Sequence, residues 1–336
     1  MVLNYIGCKY RLLHHIHKVI EENIDIKDNL TFCDLFAGTG TVGKSMFHKY
    51  NWKIIANDIE LYSYILNKAN LCLNITENIL KFHEKIILRL NNKDYKEGII
   101  YQQYTESGSK LNSNYVRLFF KDENGLMIDT VLDEIKNSNL TNDEKELLYA
   151  SLIIAVDNVA NITSVYGSFL KSLKKTSLKN LNYKLINENV SDKNKVYQKD
   201  ALDMLDNEYD IVYIDPPYNN RQYGANYGFL NIIAGLENFE IYGKTGLVKN
   251  YNKSKFSSRK TVKSQFETLI NKIRAKYIIV SYSNEGIISY QELLNIFNEK
   301  GECKVYQIPH YKFISNSVKD KNKIIEYLFL IKNLNI

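Results

Sequence analysis

The stretch YDIVYIDPPY, Tyr209–Tyr218, governs how the rest of the chain reads. Ile211, Val212, Tyr213 and Ile214 make a short apolar, largely β-branched run that suits a buried strand. Asp215 follows at its carboxyl end. Pro216 and Pro217 then stop the ladder, because neither ring nitrogen can donate a hydrogen bond. The chain holds three prolines in all, so two together mark a rigid stop rather than general loop composition. In an open α/β sheet, ligands bind beyond the carboxyl ends of the strands. A carboxylate, two stiff backbone units and the Tyr218 ring at that place suit a planar amino group. Taken alone, the tetrapeptide also allows a plain Pro-Pro turn.

Working outward, a second motif lies near the N-terminus. Residues 31–36 read as a strand running into Ala37-Gly38-Thr39-Gly40-Thr41-Val42-Gly43. Gly38 and Gly40 permit a tight turn with close backbone approach, and Gly43 lets the next helix lie near the sheet. A further strand, KIIAN at 53–57, ends in Asp58, which stands 20 residues after Gly38. An acid at that interval caps ribose hydroxyls in a βαβ nucleotide site. The glycines satisfy GxGxxG formally, so this half fits either NAD or S-adenosylmethionine.

Other sheet signals lie at 196–200, at 277–280, and at 304–308 with 324–331, the last two expected as an antiparallel edge pair. Asp200 ends the first of these. Between the two motif-bearing halves, residues 61–89 read as helix broken near 73–77, and 91–124 as irregular and exposed. Thr141-x-x-Glu144 forms a capping box ahead of a strong helix. After the Pro-Pro stop, NNRQYGANY is polar and aromatic, and a helix is expected to begin at Leu230. This gives a cofactor half at 1–71, an inserted, mainly helical region at 72–195, and a second sheet half at 196–336.

With 336 residues and 45% hydrophobic content, the chain can bury a sizeable core. No apolar run approaches the roughly 20 residues of a membrane span. The start, MVLNYIGCKY, lacks the pattern of a signal peptide, and the four cysteines show no CxxC spacing. A cytoplasmic protein without a metal site is expected. His14, His15 and His17 lack flanking ligands and read as surface residues of a helix. Net charge is +6, unevenly spread: 171–184 carries five lysines and no acid, and 241–266 carries seven basic residues and no acid. Such blocks suit an anionic partner, nucleic acid first. A solvated surface in a Lys/Asn/Ile-rich chain is the other reading.

Assembled in this order, YIGCK, FAGTG, Asp58 and DPPY resemble an adenine-specific (N6) DNA methyltransferase of the alpha group, of restriction-modification type. The likeness covers nearly the whole chain and is weakest over about 72–195; Cys8 stands where a residue such as serine is more usual. It implies a Rossmann-like α/β fold, a mostly parallel sheet with an antiparallel edge hairpin, and a helical target-recognition insertion. It implies S-adenosyl-L-methionine as cofactor, held by Tyr5, Lys9, Asp34, Phe36, Gly38, Gly40, Asp58, Asp200 and Asp215. Asp215, Pro216, Pro217 and Tyr218 would be catalytic, with Tyr218 stacked on a flipped base. Double-stranded DNA would be gripped through Lys171, Lys174, Lys175, Arg221, Lys253, Lys255, Arg259 and Lys260. The segment 241–266 is expected to stay flexible until an anion orders it. A modification enzyme would have a cognate restriction endonuclease as its functional partner. The residues leave open an RNA adenine or DNA cytosine-N4 enzyme, and a nucleic-acid-binding protein that keeps the fold without the activity. An NAD-dependent oxidoreductase would leave DPPY unexplained.

Overall fold

In the computed structural model, which describes Leu3 and residues 7–311 and 323–333, the expected strands form one sheet. In chain order the elements begin with α1 (Leu13–Asn23), β1 (Thr31–Asp34), α2 (Thr41–Tyr50) and β2 (Lys53–Asn57). A run of helices follows: α3 (Leu61–Leu71), α4 (Glu77–Asn91), α5 (Ile99–Tyr104), α6 (Glu106–Asn112), α7 (Asp122–Lys136) and α8 (Asn142–Val159). Then come β3 (Lys195–Tyr197), β4 (Glu208–Ile214), α9 (Tyr223–Ile233), β5 (Ile241–Tyr242) and β6 (Leu247–Val248). The chain continues with α10 (Val262–Lys272), β7 (Arg274–Ser283), α11 (Tyr290–Lys300), β8 (Gly301–Tyr311) and β9 (Lys323–Asn333).

These elements fall into two units. The sheet unit comprises residues 8–59, 193–222 and 253–336; the helical unit comprises 1–7, 60–192 and 223–252. The helical unit therefore takes in more than the insertion at 72–195, because α3 packs against α8 and α9.

In the sheet unit the strand order is β3-β2-β1-β4-β7-β9-β8. The first five strands are parallel, and β9 runs antiparallel between β7 and β8. This is the Rossmann-like arrangement with an antiparallel edge that the motifs implied. Its apolar strands need cover on both faces. Phe266, Leu269, Leu293 and Phe297, from α10 and α11, bury one face against Val212, Ile214, Ile278 and Val280. On the other face Phe32 stacks between Trp52 and Tyr213. Gly43 explains how α2 lies so close: a Cβ there would meet Ile54 Cγ2 at 3.2 Å.

His17, expected on the surface, is buried between Tyr50 Oη at 3.0 Å and Ser45 Oγ at 2.8 Å. Burial, aided by Lys49, lowers its pKa to about 4, so it packs as a neutral ring. Two further expectations on order also change. Residues 91–124 contain α5, α6 and the start of α7 instead of irregular chain. Periodicity could not show this because α5 has 6 residues and is held from a distance. Asp129 of α7 accepts from the amides of Gly98, Ile100 and Tyr101 at 3.0, 2.9 and 2.7 Å. The helix after the Pro-Pro stop begins at Tyr223 and ends at Ile233, so Leu230 lies in its last turn.

The segment 241–266 is ordered as well. Its first part is a β5–β6 hairpin in the helical unit, closed by Gly243 and Gly246 at φ +72° and +68°. Buried Arg117 fixes the turn, donating to the carbonyls of Lys244 and Gly243 at 3.1 Å each and to Gln103 O at 3.0 Å. Tyr104 Oη donates to Gly246 O at 2.7 Å. Over 241–248, bonds from Arg117 and Tyr104 to the turn's own carbonyls hold the chain. Arg117→Met should strand these acceptors and cost about 3 kcal/mol. Amide exchange across 241–248 should accelerate first, and unchanged protection there would show that the turn holds itself.

Candidate active site

The carboxyl end of β4 carries the site. Tyr218 Oη lies 2.6 Å from Asp215 Oδ1 and 2.5 Å from Glu326 Oε1. Lys9 Nζ lies 2.5 Å from the same Tyr218 hydroxyl, 3.0 Å from Asp215 Oδ1 and 3.1 Å from Glu326 Oε1. Ser281 Oγ donates to Glu326 Oε1 at 2.7 Å. Pro216 is buried and Pro217 half-buried, and the Tyr218 backbone carbonyl accepts from the Ile287 amide at 2.9 Å, which fixes the loop.

Electrostatics follow from this packing. Burial works against charge on Lys9, but Asp215 and Glu326 outweigh it and hold the ammonium above its ordinary pKa. Burial pushes the Asp215 carboxyl up to about 6, with Lys9 pulling against it and Glu326 adding to the rise. The Tyr218 phenol is driven well above 10 by burial and by Asp215. At neutral pH Lys9 is therefore an ammonium, Asp215 a carboxylate and Tyr218 a neutral phenol.

The glycine loop stands at the ends of β1 and β2. Gly38 and Gly40 have φ of +51° and +79°, values an L side chain rarely adopts. The Gly38 amide donates to Asp58 Oδ2 at 2.8 Å, so the two parts of the nucleotide motif are bonded to each other. Phe36 packs edge-on against Phe256 at 5.2 Å. Asp200 follows β3 and caps a short helical turn through Leu202 N at 3.0 Å. Asp34 accepts from the Gly43 amide through Oδ2 at 3.1 Å, while its buried Oδ1 has no partner. Burial and nearby Asp215 push Asp34 up to about 8, which makes it largely neutral at physiological pH. Tyr5 lies outside the described residues.

This donor set discriminates between cofactors. Asp58, Asp200 and Asp215 follow β2, β3 and β4 at the carboxyl end of the sheet, where a pyrophosphate would meet like charge. Hydroxyls, an amino group and a sulfonium cation all suit carboxylates. The residues present fit S-adenosylmethionine and disfavour a dinucleotide.

The basic residues separate by unit. Lys171 and Lys175 are exposed in the helical unit, whereas Lys174 is half-buried and donates through Nζ to Ile162 O at 2.6 Å. Its backbone amide is held by Asn161 Oδ1 at 3.0 Å. Lys174 is thus engaged in holding the 161–174 loop. In the sheet unit Arg221, Lys253, Lys255, Arg259 and Lys260 are exposed. Lys249 pairs with Glu240 at 2.7 Å, just outside the acid-free stretch.

Sequence reasoning named Lys9, Asp215 and Tyr218, but put Lys9 at the cofactor's methionine end rather than against Asp215, and it missed Glu326 and Ser281. A buried acid inside an otherwise apolar strand, IIEYLFLI, was the available signal. Among the described residues no group of His, Cys, Asp and Glu could hold a metal ion, and no helix is long and apolar enough to cross a membrane.

A carboxylate at the end of β4, a glycine loop bonded to its acid, and this strand order define an amino-group methyltransferase with a Rossmann-like sheet. The family model for D12 class N6 adenine-specific DNA methyltransferases matches residues 5–296, and the chain belongs to that family. Three curated relatives each match 98% of the chain. Type II methyltransferase M.NlaIII of Neisseria lactamica is 41% identical, with 99% of its own length covered. M.FokI of Planomicrobium okeanokoites is 36% identical over 52% of its length, and M.CviAII of Paramecium bursaria Chlorella virus 1 is 33% identical over 98%. The enzyme transfers methyl groups to adenine N6 in DNA and takes S-adenosylmethionine as donor.

As an acceptor for the substrate amine, Asp215 would act in its ionised form. Since its pKa is raised to about 6, activity is present above that value and lost as pH falls through it. The pH profile of kcat/KM, which reports the free enzyme, should show an acid limb near pH 6. A limb near pH 4 would place Asp215 in a wetter setting than this.

Proposed function

We propose that the enzyme methylates adenine N6 within a short duplex sequence, after flipping the base, as the modification partner of a restriction endonuclease. The observation that carries the chemistry is the Asp215–Lys9–Tyr218–Glu326 cluster at the carboxyl end of β4. The restriction-modification setting is supported by the likeness to Type II methyltransferases across the whole chain.

The exocyclic amine of adenine is a poor nucleophile because its lone pair is delocalised into the ring. Asp215 and the Pro216 carbonyl would accept its two hydrogens and favour a more tetrahedral nitrogen whose lone pair can attack. S-adenosylmethionine supplies the electrophilic methyl group. Asp58 would hold the ribose hydroxyls and Asp200 the adenine amino group of that donor. Phe36, Gly38 and Gly40 would line its loop, and Tyr5 would lie toward its methionine end. As positive charge develops on the amine, the carboxylate beside it stabilises that charge without prior deprotonation. Extracting the base from a duplex costs a few kcal/mol, offset by stacking on Tyr218 and by pocket contacts.

Asp215→Ala should lower single-turnover methyl transfer about 100- to 1000-fold while leaving cofactor binding mostly intact. Near-wild-type turnover would remove Asp215 from the reaction.

The helical unit, with residues 72–195, would carry target recognition, with Lys171 and Lys175 at the phosphates. Lys253, Lys255, Arg259, Lys260 and Arg221 would grip the backbone from the sheet unit. Lysines act as point charges suited to phosphate, whereas Arg259 has the fork that reads guanine. Neutralising Lys253, Lys255 and Lys260 together should weaken binding to all duplexes alike. The slope of log K against log salt should flatten by up to about 2.7. An unchanged slope with a relaxed set of methylated sites would instead make this segment a sequence reader.

A further inference from the structure

Glu326 has no part in the motifs and lies beyond the residues that the family model matches. It sits in β9 with its carboxylate buried, paired in register with Ser283 and bonded by Ser281 from two residues away on β7. Three donors converge on one of its oxygens, Oε1: Lys9, Tyr218 and Ser281. A buried acid with that many partners is built in, since an unpaired one would be expensive.

The charge count gives it a purpose. Lys9 carries one positive charge, and Asp215 and Glu326 one negative charge each. Methyl transfer leaves the amine cationic, and one proton must leave it. If Asp215 alone faced Lys9, protonating Asp215 would strand a buried ammonium without a counter-charge. With Glu326 present, the ammonium keeps a partner 3.1 Å away when Asp215 becomes neutral.

We propose that Glu326 is the positioning residue that lets Asp215 take up the proton released from the methylated amine. The N–H bond breaks, its electron pair stays on nitrogen and quenches the positive charge, and an O–H bond forms on Asp215. Both contacts of Asp215 fall on Oδ1, which leaves Oδ2 for the amine. Tyr218, whose single hydroxyl proton lies between two carboxylates, turns its hydrogen bond wholly to Glu326. Lys9 and Glu326 are then a neutral pair, and the cluster gives up its proton to solvent after product leaves. The groups facing Asp215 are Lys9, Tyr218, Glu326, Asp34 and Tyr213. Only Glu326 and Asp34 among them are acids, and Asp34 is largely neutral already.

The inference rests on methyl transfer to adenine at Asp215, and the experiment separates the two. Single-turnover transfer to adenine-containing duplex DNA is measured for the wild type, Glu326→Gln and Glu326→Asp, with S-adenosylhomocysteine affinity as the check on folding. Gln keeps the shape and an accepting oxygen but not the charge; Asp keeps the charge on a shorter stem. Glu326→Gln should slow transfer about 10- to 100-fold near pH 7.5, with affinity within about threefold of wild type. Its acid limb of kcat/KM should move down by about one pH unit, because Asp215 loses a neighbouring negative charge. Glu326→Asp should be the faster of the two variants. A purely structural Glu326 would reverse that order, and a Gln variant with wild-type rate and limb would overturn the proposal. If both variants bind cofactor poorly, the order of their rates still decides. A wild type that leaves adenine unmethylated would overturn the functional reading instead.

Discussion

An ionised carboxylate at a dry strand end needs a counter-charge close by, and Lys9 meets that need for Asp215. The pair is 3.0 Å apart, with Lys9 buried beneath it. Without the ammonium, burial would leave Asp215 protonated and unable to accept from an amine. Without the carboxylates, the ammonium could not stay charged where it is. Each group's ionisation is a condition of the other's, so Lys9 and the DPPY segment act as one device. The two prolines, the Ile287 amide bond and the Ser281 contact fix the directions in which the device can act.

Much of the sheet was legible in sequence because its signals are local. Short, largely apolar runs at 31–36, 53–57 and 211–214 give the strands, and Gly38, Gly40 and Gly43 give the turn that joins the first two. The spacing between Gly38 and Asp58 placed loop and acid in one site, but the direct bond between them came only with the structure. What sequence hid is what depends on distant partners. The helices at 99–112 exist because a carboxylate on α7 caps one of them, and hairpin 241–248 is ordered because Arg117 bonds its turn. His17 sits in a polar-looking helix stripe, yet two hydroxyls remote in sequence give it a buried socket. Glu326 reads as an ordinary strand acid until Lys9 is found beside it.

The helical unit relies on buried polar groups as much as on its apolar core. Phe229 is ringed by Tyr104, Tyr166, Phe119 and Phe120, which supplies burial but little directional preference. Asp129, Arg117 and Asn161 add direction by bonding backbone groups of irregular chain. Networks of this kind favour one arrangement of loops over many, because a wrong arrangement strands their donors and acceptors. The target recognition proposed for this unit would draw on loops that are already preset.

The placement of β9 between β7 and β8 has a consequence for biosynthesis. Lys9 and Tyr218 are 209 residues apart, and Glu326 lies 108 residues beyond Tyr218. A ribosome delivers Lys9 before Tyr218 and Tyr218 before Glu326, and β8 joins the sheet only through β9. Closure of the sheet and completion of the charged cluster are then the same event. Contacts of such sequence separation form slowly, because the loop-closure entropy precedes the reward. A growing chain would expose the glycine loop and DPPY segment well before it gained a balanced active site. The charged cluster is thus incomplete until β9 docks beside β7.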